Sequence, residues 1–313
     1  MASNTDEKKS GLLTRRQALL SIAAGAAGAA GAAGAAVLPR SIFGATPAKN
    51  RIKFAAIGDF GTGDDSEAGI AAQILRDHKA SPLDLVIAVG DNIYPDGGGR
   101  HFVKKFERPY SGLIREGVKV HAVLGNHDVK DGRRDQCHYP HFNMNGQCYY
   151  TVKQGDGLAE IFMVDSTDYD MTQAGWLEGA LRESTAKWKI AVFHHPIYSS
   201  GQTHGSDLGL RRSIEPLLVR YGVNVVLSGH DHIYERVKPQ QGVQYFVTGA
   251  GGQVRHNDAN MRSPFRAMSF DQDNHYLQME IDDQQISFQA ITRTGSVIDR
   301  GAIKQRVMAV SGG

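Results

Sequence analysis

The sequence predicts an α/β domain, and three observations support this fold class. Short apolar runs of four to seven residues alternate with longer stretches in which apolar residues recur every three or four positions. The short runs indicate buried strands and the longer stretches indicate amphipathic helices. Most of the runs end at a glycine that polar residues follow. Because strands that alternate with helices favour a parallel arrangement, we expect these polar residues beyond the carboxyl ends of the strands.

The elements follow one another in a regular order along the chain. Predicted strands occupy residues 52–57, 85–89, 118–124, 190–193 and 223–227, then 244–248, 276–281 and 285–293. Predicted helices cover residues 66–80, 172–184 and 208–221. Because the last three strands are not separated by long helices, we expect a second sheet or a mixed sheet there. No internal repeat or Pro- or Ser-rich linker interrupts residues 49–313, which predicts one domain.

Residues 1–48 differ in composition from the rest of the chain and are predicted to be an export signal. Arg15 and Arg16 precede a long run of Ala and Gly, and Ala45 or Ala48 is a suitable cleavage site. The arginine pair resembles the twin-arginine type, which implies the twin-arginine export machinery as a partner and a periplasmic or secreted location. A retained anchor is the alternative, because the stretch is long enough to span a bilayer. Ala and Gly are weakly apolar, so we expect no stable membrane anchor.

The charge of the chain changes once this segment is removed. The whole sequence has 35 Lys and Arg residues against 33 Asp and Glu residues. Five of the basic residues and two of the acidic residues lie in residues 1–48, which leaves a net charge of −1 for the remainder. No basic field of the kind that nucleic-acid binding requires is present, so no nucleic-acid partner is expected.

The polar residues at the strand ends predict a metal site when they are taken together. A single Gly-Asp pair after a strand usually forms a turn or a helix cap. Alternate residues of an extended segment, however, point to the same side, as in the His-Asp-His sequence at 230–232. Carboxylate, amide and imidazole donors suit two metal ions bridged by one carboxylate. Five strand ends supply such donors, namely Asp59, Asp91, Asn126, His194 or His195, and His230 with His232.

These motifs resemble those of a known superfamily. GDFG (58–61), GDNIY (90–94), GNHD (125–128), FHHPIYS (193–199) and GHDH (229–232) resemble the calcineurin-like metallophosphoesterases in type and order. Tyr94 narrows the resemblance to the purple acid phosphatases, in particular their small, tartrate-resistant-like animal type. The resemblance implies a four-layer α/β/β/α sandwich of two mixed sheets, and it covers most of the chain after the signal.

The same resemblance implies a ligand for every position of a dinuclear centre. The ligands of a first metal, expected to be Fe(III), would be Asp59, Tyr94 and His232. The ligands of a second, divalent metal (Fe(II), Zn or Mn) would be Asn126, His194 and His230. Asp91 would bridge the two ions. His195 stands where the family varies, and we expect it to be a neighbour of the site.

Tyr94 is the residue that points to iron. A free phenol has a pKa near 10 and is a poor ligand for an ordinary divalent ion at neutral pH. A hard, trivalent cation such as Fe(III) ionises it, and the phenolate then matches that ion. The alternative is a buried tyrosine with a capped hydroxyl, in which case a two-metal phosphoesterase would lack the coloured iron centre.

Two further histidines are candidates for catalysis. His127 follows the expected ligand Asn126, and the resemblance implies that it binds the substrate phosphate and helps to protonate the leaving group. A side chain that titrates near neutrality suits this role. His204 resembles a second histidine that faces the substrate. A solvated loop histidine is the other interpretation of His204.

Cys137 and Cys148, the two cysteines of the chain, leave two interpretations open. In an exported protein they form a disulfide that closes a short loop. The alternative is a pair of free, half-buried thiols. Metal binding by these cysteines is not expected, because the predicted site already has a full set of ligands.

The resemblance implies an exported acid phosphatase whose substrates are small phosphomonoesters. A metal-bound hydroxide would attack phosphorus while His127 assists the leaving group. The chain has neither a GxxxxGK phosphate loop nor a recognisable Ser or Cys nucleophile motif. The glycine-rich residues 249–253 are interpreted as a structural turn.

Two other functions remain as alternatives to a phosphomonoesterase. A phosphodiesterase acting on nucleotides or lipid head groups would use the same metal ligands, because selectivity lies in the surrounding loops. A metal-containing binding or scaffold protein would lack turnover. The presence of a suitable residue at every ligand position argues against the second alternative.

Overall fold

The computed structural model describes residues 50–305. The predicted signal in residues 1–48 lies outside this range and stays a prediction. Within the described residues, two mixed sheets with accompanying helices confirm the predicted α/β fold class. None of the helices between residues 50 and 305 is long and apolar enough to cross a membrane.

The strands and helices have the following bounds. The strands are β1 (Ile52–Ile57), β2 (Leu85–Ala88), β3 (Lys119–Ala122), β4 (Tyr150–Gln154), β5 (Ala159–Met163), β6 (Trp188–Val192), β7 (Val225–Ser228), β8 (Tyr234–Val237), β9 (Gln244–Thr248), β10 (Arg266–Phe270), β11 (His275–Ile281), β12 (Gln285–Thr292) and β13 (Val297–Lys304). The α-helices are α1 (Asp65–Ala80), α2 (Ser111–Arg115), α3 (Arg133–His138), α4 (Met171–Glu183) and α5 (Leu208–Arg220). Short 3₁₀ or π turns are Gly99–His101, Val103–Glu107 and Pro140–Phe142.

The first sheet contains six strands in the order β13-β12-β11-β1-β2-β3. Strands β1, β2 and β3 are parallel, whereas β11, β12 and β13 add to the other side of β1 as antiparallel neighbours. All six residues of β1 are buried, as expected for a strand that is covered on both faces. The carboxyl ends of β1, β2 and β3 therefore lie at the same edge of this sheet.

The second sheet contains seven strands in the order β10-β8-β9-β7-β6-β5-β4. Its central strands β5, β6, β7 and β9 are parallel, and β4, β8 and β10 pair antiparallel at its two sides. The carboxyl ends of β6 and β7 are thereby adjacent. Each of these two strands ends in a histidine-containing loop.

A continuous apolar core joins the two sheets. Phe246 of β9 and Phe288 of β12 belong to different sheets, and their ring centroids are 4.9 Å apart. The buried side chain of Ile70 on α1 belongs to the same core. A second apolar cluster joins Leu177 of α4 and Ile214 of α5 to the second sheet. The helices thus cover the sheets by burying one apolar stripe each.

The predicted helix boundaries agree with the structure to within one residue at each end. The predicted strands at 244–248, 276–281 and 285–293 divide between the sheets, because β9 joins the second and β11 and β12 join the first. Several strands were not predicted, namely β4, β5, β8, β10 and β13. Residues of β13 are largely exposed, which explains its weak apolar pattern, whereas β5 is fully buried and its apolar residues were overlooked.

Cys137 and Cys148 form a disulfide, with their Cα atoms 5.6 Å apart. The structure therefore favours the disulfide over two free thiols. The bond links α3 to the segment that leads into β4. Because α3 follows the GNHD motif closely, the disulfide supports a segment that borders the functional site.

Candidate metal centre

The predicted metal ligands come from loops at the carboxyl ends of strands in both sheets. Asp59 follows β1, Asp91 and Tyr94 follow β2, and Asn126 follows β3. From the second sheet, His194 follows β6, and His230 and His232 follow β7. The structure brings these loops together between the sheets.

One group of donor atoms surrounds the hydroxyl of Tyr94. The Tyr94 hydroxyl oxygen lies 3.3 Å from Oδ1 of Asp59 and 3.2 Å from Oδ2 of Asp91. It also lies 3.2 Å from Nε2 of His232, which in turn is 3.5 Å from Oδ1 of Asp59. Donors about 2.1 Å from one ion lie about 3 to 3.5 Å from one another, so this group can hold a metal ion.

A second group of donor atoms lies around Nε2 of His194. This nitrogen is 3.1 Å from Oδ1 of Asn126 and 3.2 Å from Nδ1 of His230. It is also 3.6 Å from Oδ1 of Asp91. The spacing again matches a set of donors around a single cation.

Asp91 belongs to both groups, with one carboxylate oxygen facing each. Its Oδ2 faces Tyr94 and its Oδ1 faces His194. The side chain is 2% exposed, so little water reaches it. A carboxylate in this position can bridge two cations and reduce their mutual repulsion.

The hydrogen-bonding pattern fits bound cations. Nδ1 of His194 is 3.0 Å from the carbonyl oxygen of Val89, which only accepts, so Nδ1 carries the ring hydrogen. Nε2 of His194 is then an acceptor, yet it faces another acceptor, Oδ1 of Asn126. Two acceptor lone pairs that face each other are stabilised by a positive charge between them. The chemical types and positions of the donor atoms thus fit two metal ions.

Burial makes the titration of these groups suit metal binding. It raises the pKa of Asp59, and the neighbouring Asp91 carboxylate raises it further. Burial also raises the pKa of Asp91. For His194 and His230, burial and neighbouring histidines lower the pKa, and burial lowers that of His232 to about 4. The lowered pKa values keep the imidazoles neutral, so that each has a lone pair for a metal ion. The raised pKa values show that the buried Asp59 and Asp91 carboxylates need a nearby positive charge, which a metal ion would supply.

Several ligand residues occupy an unusual backbone conformation. Asp59, Asp91 and His230 have φ angles of 56°, 49° and 71°. A left-handed backbone is uncommon for residues other than glycine, and such strain concentrates at functional sites. The conformation turns each side chain towards the centre directly after its strand.

Glycines allow the loops to pass close to the ligands. A Cβ on Gly229 would lie 2.4 Å from Oδ2 of Asp59, and one on Gly249 would lie 2.9 Å from the same oxygen. The residues after Gly249 brace the first ligand loop, because the N–H groups of Gly251 and Gly252 donate to the carbonyls of Gly58 and Asp59. The glycine-rich residues 249–253 thus support the site, in agreement with their structural interpretation.

Asp128 organises two of the ligand loops, a role that sequence reasoning missed. Its buried carboxylate accepts from the backbone N–H groups of Asn92, Ile93 and Gly125, at 2.9 to 3.0 Å. Burial raises its pKa to about 7. The side chain of Gln136 on α3 also donates to it, at 2.6 Å. A buried aspartate directly after the histidine of the GNHD motif was the available sequence signal.

His127 lies beside the group that contains Tyr94. Its ring centroid is 4.6 Å from that of Tyr94, and its backbone N–H donates to Oδ1 of Asp91 at 2.8 Å. Nδ1 of His127 is 2.7 Å from the carbonyl oxygen of Pro95. Nζ of Lys130 also lies 3.0 Å from Nδ1, whereas Nε2 of His127 has no hydrogen-bond partner among the described residues.

His204 and His195 lie on the other side, where each contacts His230. The ring of His204 is 4.1 Å from that of His230, and the ring of His195 is 4.6 Å from it. The buried carboxylate of Asp231 holds the His204 loop by accepting from the Ser199 hydroxyl and the Gly205 N–H. The structure thus brings His204, an exposed side chain, to the edge of the centre.

Comparisons with known proteins agree with this architecture. The family model described as calcineurin-like phosphoesterase matches residues 52–234. Purple acid phosphatase 17 of Arabidopsis thaliana is 28% identical over 247 residues, which cover 68% of this chain and 73% of that protein. Tartrate-resistant acid phosphatase type 5 of Homo sapiens is 27% identical over 252 residues, which cover 69% of this chain and 76% of that protein.

Solved structures share the fold at lower sequence identity. GAP50, the anchor in the inner membrane complex of Plasmodium, has a TM-score of 0.73 at 20% identity, with 82% of this chain and 90% of that chain covered. Purple acid phosphatase PPD1 from yellow lupin (Lupinus luteus) seeds has a TM-score of 0.68 at 17% identity. That match covers 82% of this chain and 54% of the lupin chain. These structural similarities show that the chain shares its fold with both proteins.

Proposed function

Because this chain belongs to the calcineurin-like phosphoesterase family, we propose that it is a dinuclear-metal acid phosphatase that hydrolyses phosphomonoesters. The observation that carries the proposal is the carboxylate of Asp91, which directs one oxygen into each of two donor groups. The curated relatives named purple and tartrate-resistant acid phosphatases support the same activity. Small phosphomonoesters are the proposed substrates.

We assign the two donor groups to two different metals. Asp59, Tyr94 and His232 would hold Fe(III), because a phenol beside carboxylates offers hard oxygen donors to a trivalent ion. Asn126, His194 and His230 would hold Fe(II), Zn or Mn, for which imidazole and amide donors are suitable. Asp91 would be shared between the two ions.

The protein residues have separate tasks around the phosphate. When bound, the metal ions supply positive charge for the phosphate oxygens and acidify water for attack. We propose that His127 acts in its doubly protonated form, in which Nδ1–H faces the carbonyl oxygen of Pro95 and Nε2–H is donated to the departing alcohol. His204 borders the opposite side of the centre, where we propose that it binds the substrate.

Export is part of the proposal. The arginine pair and the Ala- and Gly-rich stretch of residues 1–48 suit a twin-arginine signal and a periplasmic or secreted enzyme. The disulfide between Cys137 and Cys148 is consistent with an oxidising compartment. A fusion of residues 1–48 to a reporter that is active only after export tests this point, and loss of the reporter signal in an Arg15→Lys, Arg16→Lys variant is expected.

The activity and the iron centre are tested on the purified, metal-loaded protein. We expect hydrolysis of p-nitrophenyl phosphate on the acid side of neutrality and much slower hydrolysis of its bis ester. We also expect a visible tyrosinate-to-iron charge-transfer band that is lost in Tyr94→Phe. Phenylalanine keeps the ring of Tyr94 beside His127 and removes only the oxygen.

Tyr110→Phe provides the matched control for this substitution. The Tyr110 hydroxyl is also buried but belongs to the apolar core next to Phe60 and Phe106, so its removal should preserve the band. A colourless, active protein that contains only zinc or manganese would refute the iron assignment. Preferential hydrolysis of the bis ester would instead identify a phosphodiesterase.

A further inference from the structure

We propose that His195 is a substrate-positioning residue that donates a hydrogen bond from its Nε2 to a phosphate oxygen. This inference rests on the proposed function, because it concerns the orientation of the phosphate at the same centre. His195 is not among the metal ligands assigned above. Its neighbour His194 fills that position.

The hydroxyl of Ser166 fixes the ring of His195. Oγ of Ser166 accepts a hydrogen bond from the backbone N–H of His195 at 3.0 Å and lies 2.9 Å from Nδ1 of the same residue. Because Oγ already accepts from the backbone N–H and, among the described residues, has no other hydrogen-bond partner than Nδ1, we assign the hydroxyl hydrogen to the bond with Nδ1. With Nδ1 accepting, the ring hydrogen of the neutral imidazole resides on Nε2.

Nε2 of His195 is then an unused donor at the edge of the metal centre. Among the described residues, no hydrogen-bond partner reaches this nitrogen. Ligand atoms of His194, His195 and His230 all lie within 4.8 Å of one another. The His195 ring therefore stands next to the group proposed to hold the divalent metal.

His195 also forms one wall of a cavity that opens beside the centre. This cavity, which we call the histidine pocket, has a volume of about 350 Å³ and is lined by His195, Thr203, His204, Asp207 and His230, among others. The ring of His230 lies between those of His195 and His204, at 4.6 and 4.1 Å. A polar pocket next to a ligand histidine is a suitable place for an oxygen of the substrate.

The pocket borders the second donor group, whereas His127 borders the first. His127 packs on Tyr94, whereas His195 packs on His230. In this proposal, a phosphate between the two donor groups contacts His127 beside Tyr94 and the Nε2 donor of His195 beside His230. We infer that His195 orients the non-bridging oxygens so that the leaving group faces His127.

Two substitutions that differ by one methylene isolate the Nε2 donor. His195→Gln places an amide nitrogen near the position of Nε2, whereas His195→Asn places its amide near Nδ1 and leaves the Nε2 position empty. Binding of inorganic phosphate to the metal-loaded protein is measured by titration calorimetry, together with KM, kcat and metal content. We expect about tenfold or greater weakening of phosphate binding in His195→Asn, since the lost bond is to a charged group. His195→Gln should bind within about threefold of wild type.

Ser166→Ala and a remote histidine complete the series. Without the Ser166 hydroxyl, the ring hydrogen of His195 can occupy either Nδ1 or Nε2. Only part of the population then has a donor at Nε2, so phosphate binding should weaken by a smaller factor than in His195→Asn. His138→Gln, on the exposed face of α3, is the control and should leave phosphate binding and KM unchanged. Each protein should contain two metal equivalents.

The possible failures point to different conclusions. Unchanged phosphate binding in His195→Asn, or equal weakening in the Asn and Gln variants, would refute the Nε2 hydrogen bond. Loss of one metal equivalent in His195→Asn would show instead that His195 is a ligand. If wild-type protein fails to hydrolyse any phosphomonoester, the proposed function fails irrespective of His195.

Discussion

The side chains that face the metal centre depend on an unfavourable backbone at three positions. Asp59, Asp91 and His230 adopt left-handed conformations that cost of order 1 kcal/mol or more each for non-glycine residues. Backbone hydrogen bonds repay part of this cost, because the N–H of His230 donates to Oδ2 of Asp59 and that of His127 donates to Oδ1 of Asp91. The loops after β7 and β3 thus each position a carboxylate of another ligand loop.

His127 is predicted to affect turnover without affecting metal binding. Its side chain contacts Pro95 and Tyr94 and contributes no atom to either donor group. His127→Ala should retain both metals and lose about 10²- to 10⁴-fold in kcat, the usual contribution of general acid catalysis. Steady-state kinetics and elemental analysis of the same preparation measure both quantities. An unchanged kcat would contradict the catalytic role.

Glu235 is predicted to make stability depend on pH. It is fully buried, and burial raises its pKa from 4.5 to about 7. Between these pH values the folded protein retains a proton that the unfolded chain has released, so the free energy of unfolding decreases as pH rises. Glu235→Gln has no such proton to release, so its free energy of unfolding should not decrease in this way.

We expect Glu235→Gln to be more stable than wild type above pH 7 by at most about 3 kcal/mol, with the difference vanishing near pH 4.5. Denaturant unfolding at a series of pH values measures the difference. Glu116→Gln, at an exposed position after α2, is the control and should give a small difference at every pH. A difference for Glu235→Gln that does not vary with pH would contradict the explanation.

At the level of the elements, the turn after β7 packs so closely on the loop after β1 that Gly229 has no room for a side chain. Gly229→Ala would place a Cβ 2.4 Å from Oδ2 of Asp59, in a position fixed by the backbone. We expect this variant to bind less metal and to lose about 1–3 kcal/mol of stability through overpacking. Metal analysis and denaturant unfolding test the prediction.

Gly175→Ala is the matched control for this substitution. Gly175 lies inside α4, and a Cβ there would meet no atom within 4 Å. An alanine should stabilise the helix by up to about 1 kcal/mol. Equal metal content in both variants would show that the close approach at Gly229 does not constrain the centre.

The elements that sequence patterns predicted well are those with local signals. Helices α1, α4 and α5 have apolar residues at helical spacing, and Asp64, Asp170 and Asp207 cap their N-termini by accepting backbone N–H groups. The division of strands between sheets has no local signal. Strand β9 pairs with β7, whereas β11 pairs with β1 across more than 200 residues of sequence.

The donor set was predictable in part for the same reason. The polar residues after five predicted strands were candidates for the site, and the structure brings those residues together. The supporting residues were not predicted. Asp128 and Asp231 lie inside the motifs that carry ligands, but only the fold shows that their carboxylates hold the loops that carry other site residues.

Across the whole molecule, the centre connects the two sheets. Asp59, Asp91, Tyr94 and Asn126 follow strands of the first sheet, and His194, His230 and His232 follow strands of the second. Metal ions that bind only the folded arrangement stabilise it by mass action. Their removal also leaves Asp59 and Asp91 buried without a counter-charge.

We therefore expect removal of the metals with a chelator to lower the melting temperature by at least about 5 °C at neutral pH. Calorimetry of metal-loaded and metal-free protein measures the effect, and addition of metal should restore it. Asp91→Ala, which lacks the shared carboxylate, should respond much less to the chelator. Equal melting temperatures with and without metal would contradict a link between the sheets.

The order of the donors along the chain determines when the protein can select its metals during synthesis. Of the predicted ligands, a nascent chain that has reached only residue 126, just after β3, contains the two carboxylates, the phenol and the amide. None of the three imidazole ligands exists until β6 and β7 have been made. The predicted ligands present at that stage are all oxygen donors, which suit abundant cations such as Mg²⁺ and Ca²⁺. The preference for transition metals that we propose for this centre therefore arises late, as the second sheet is completed.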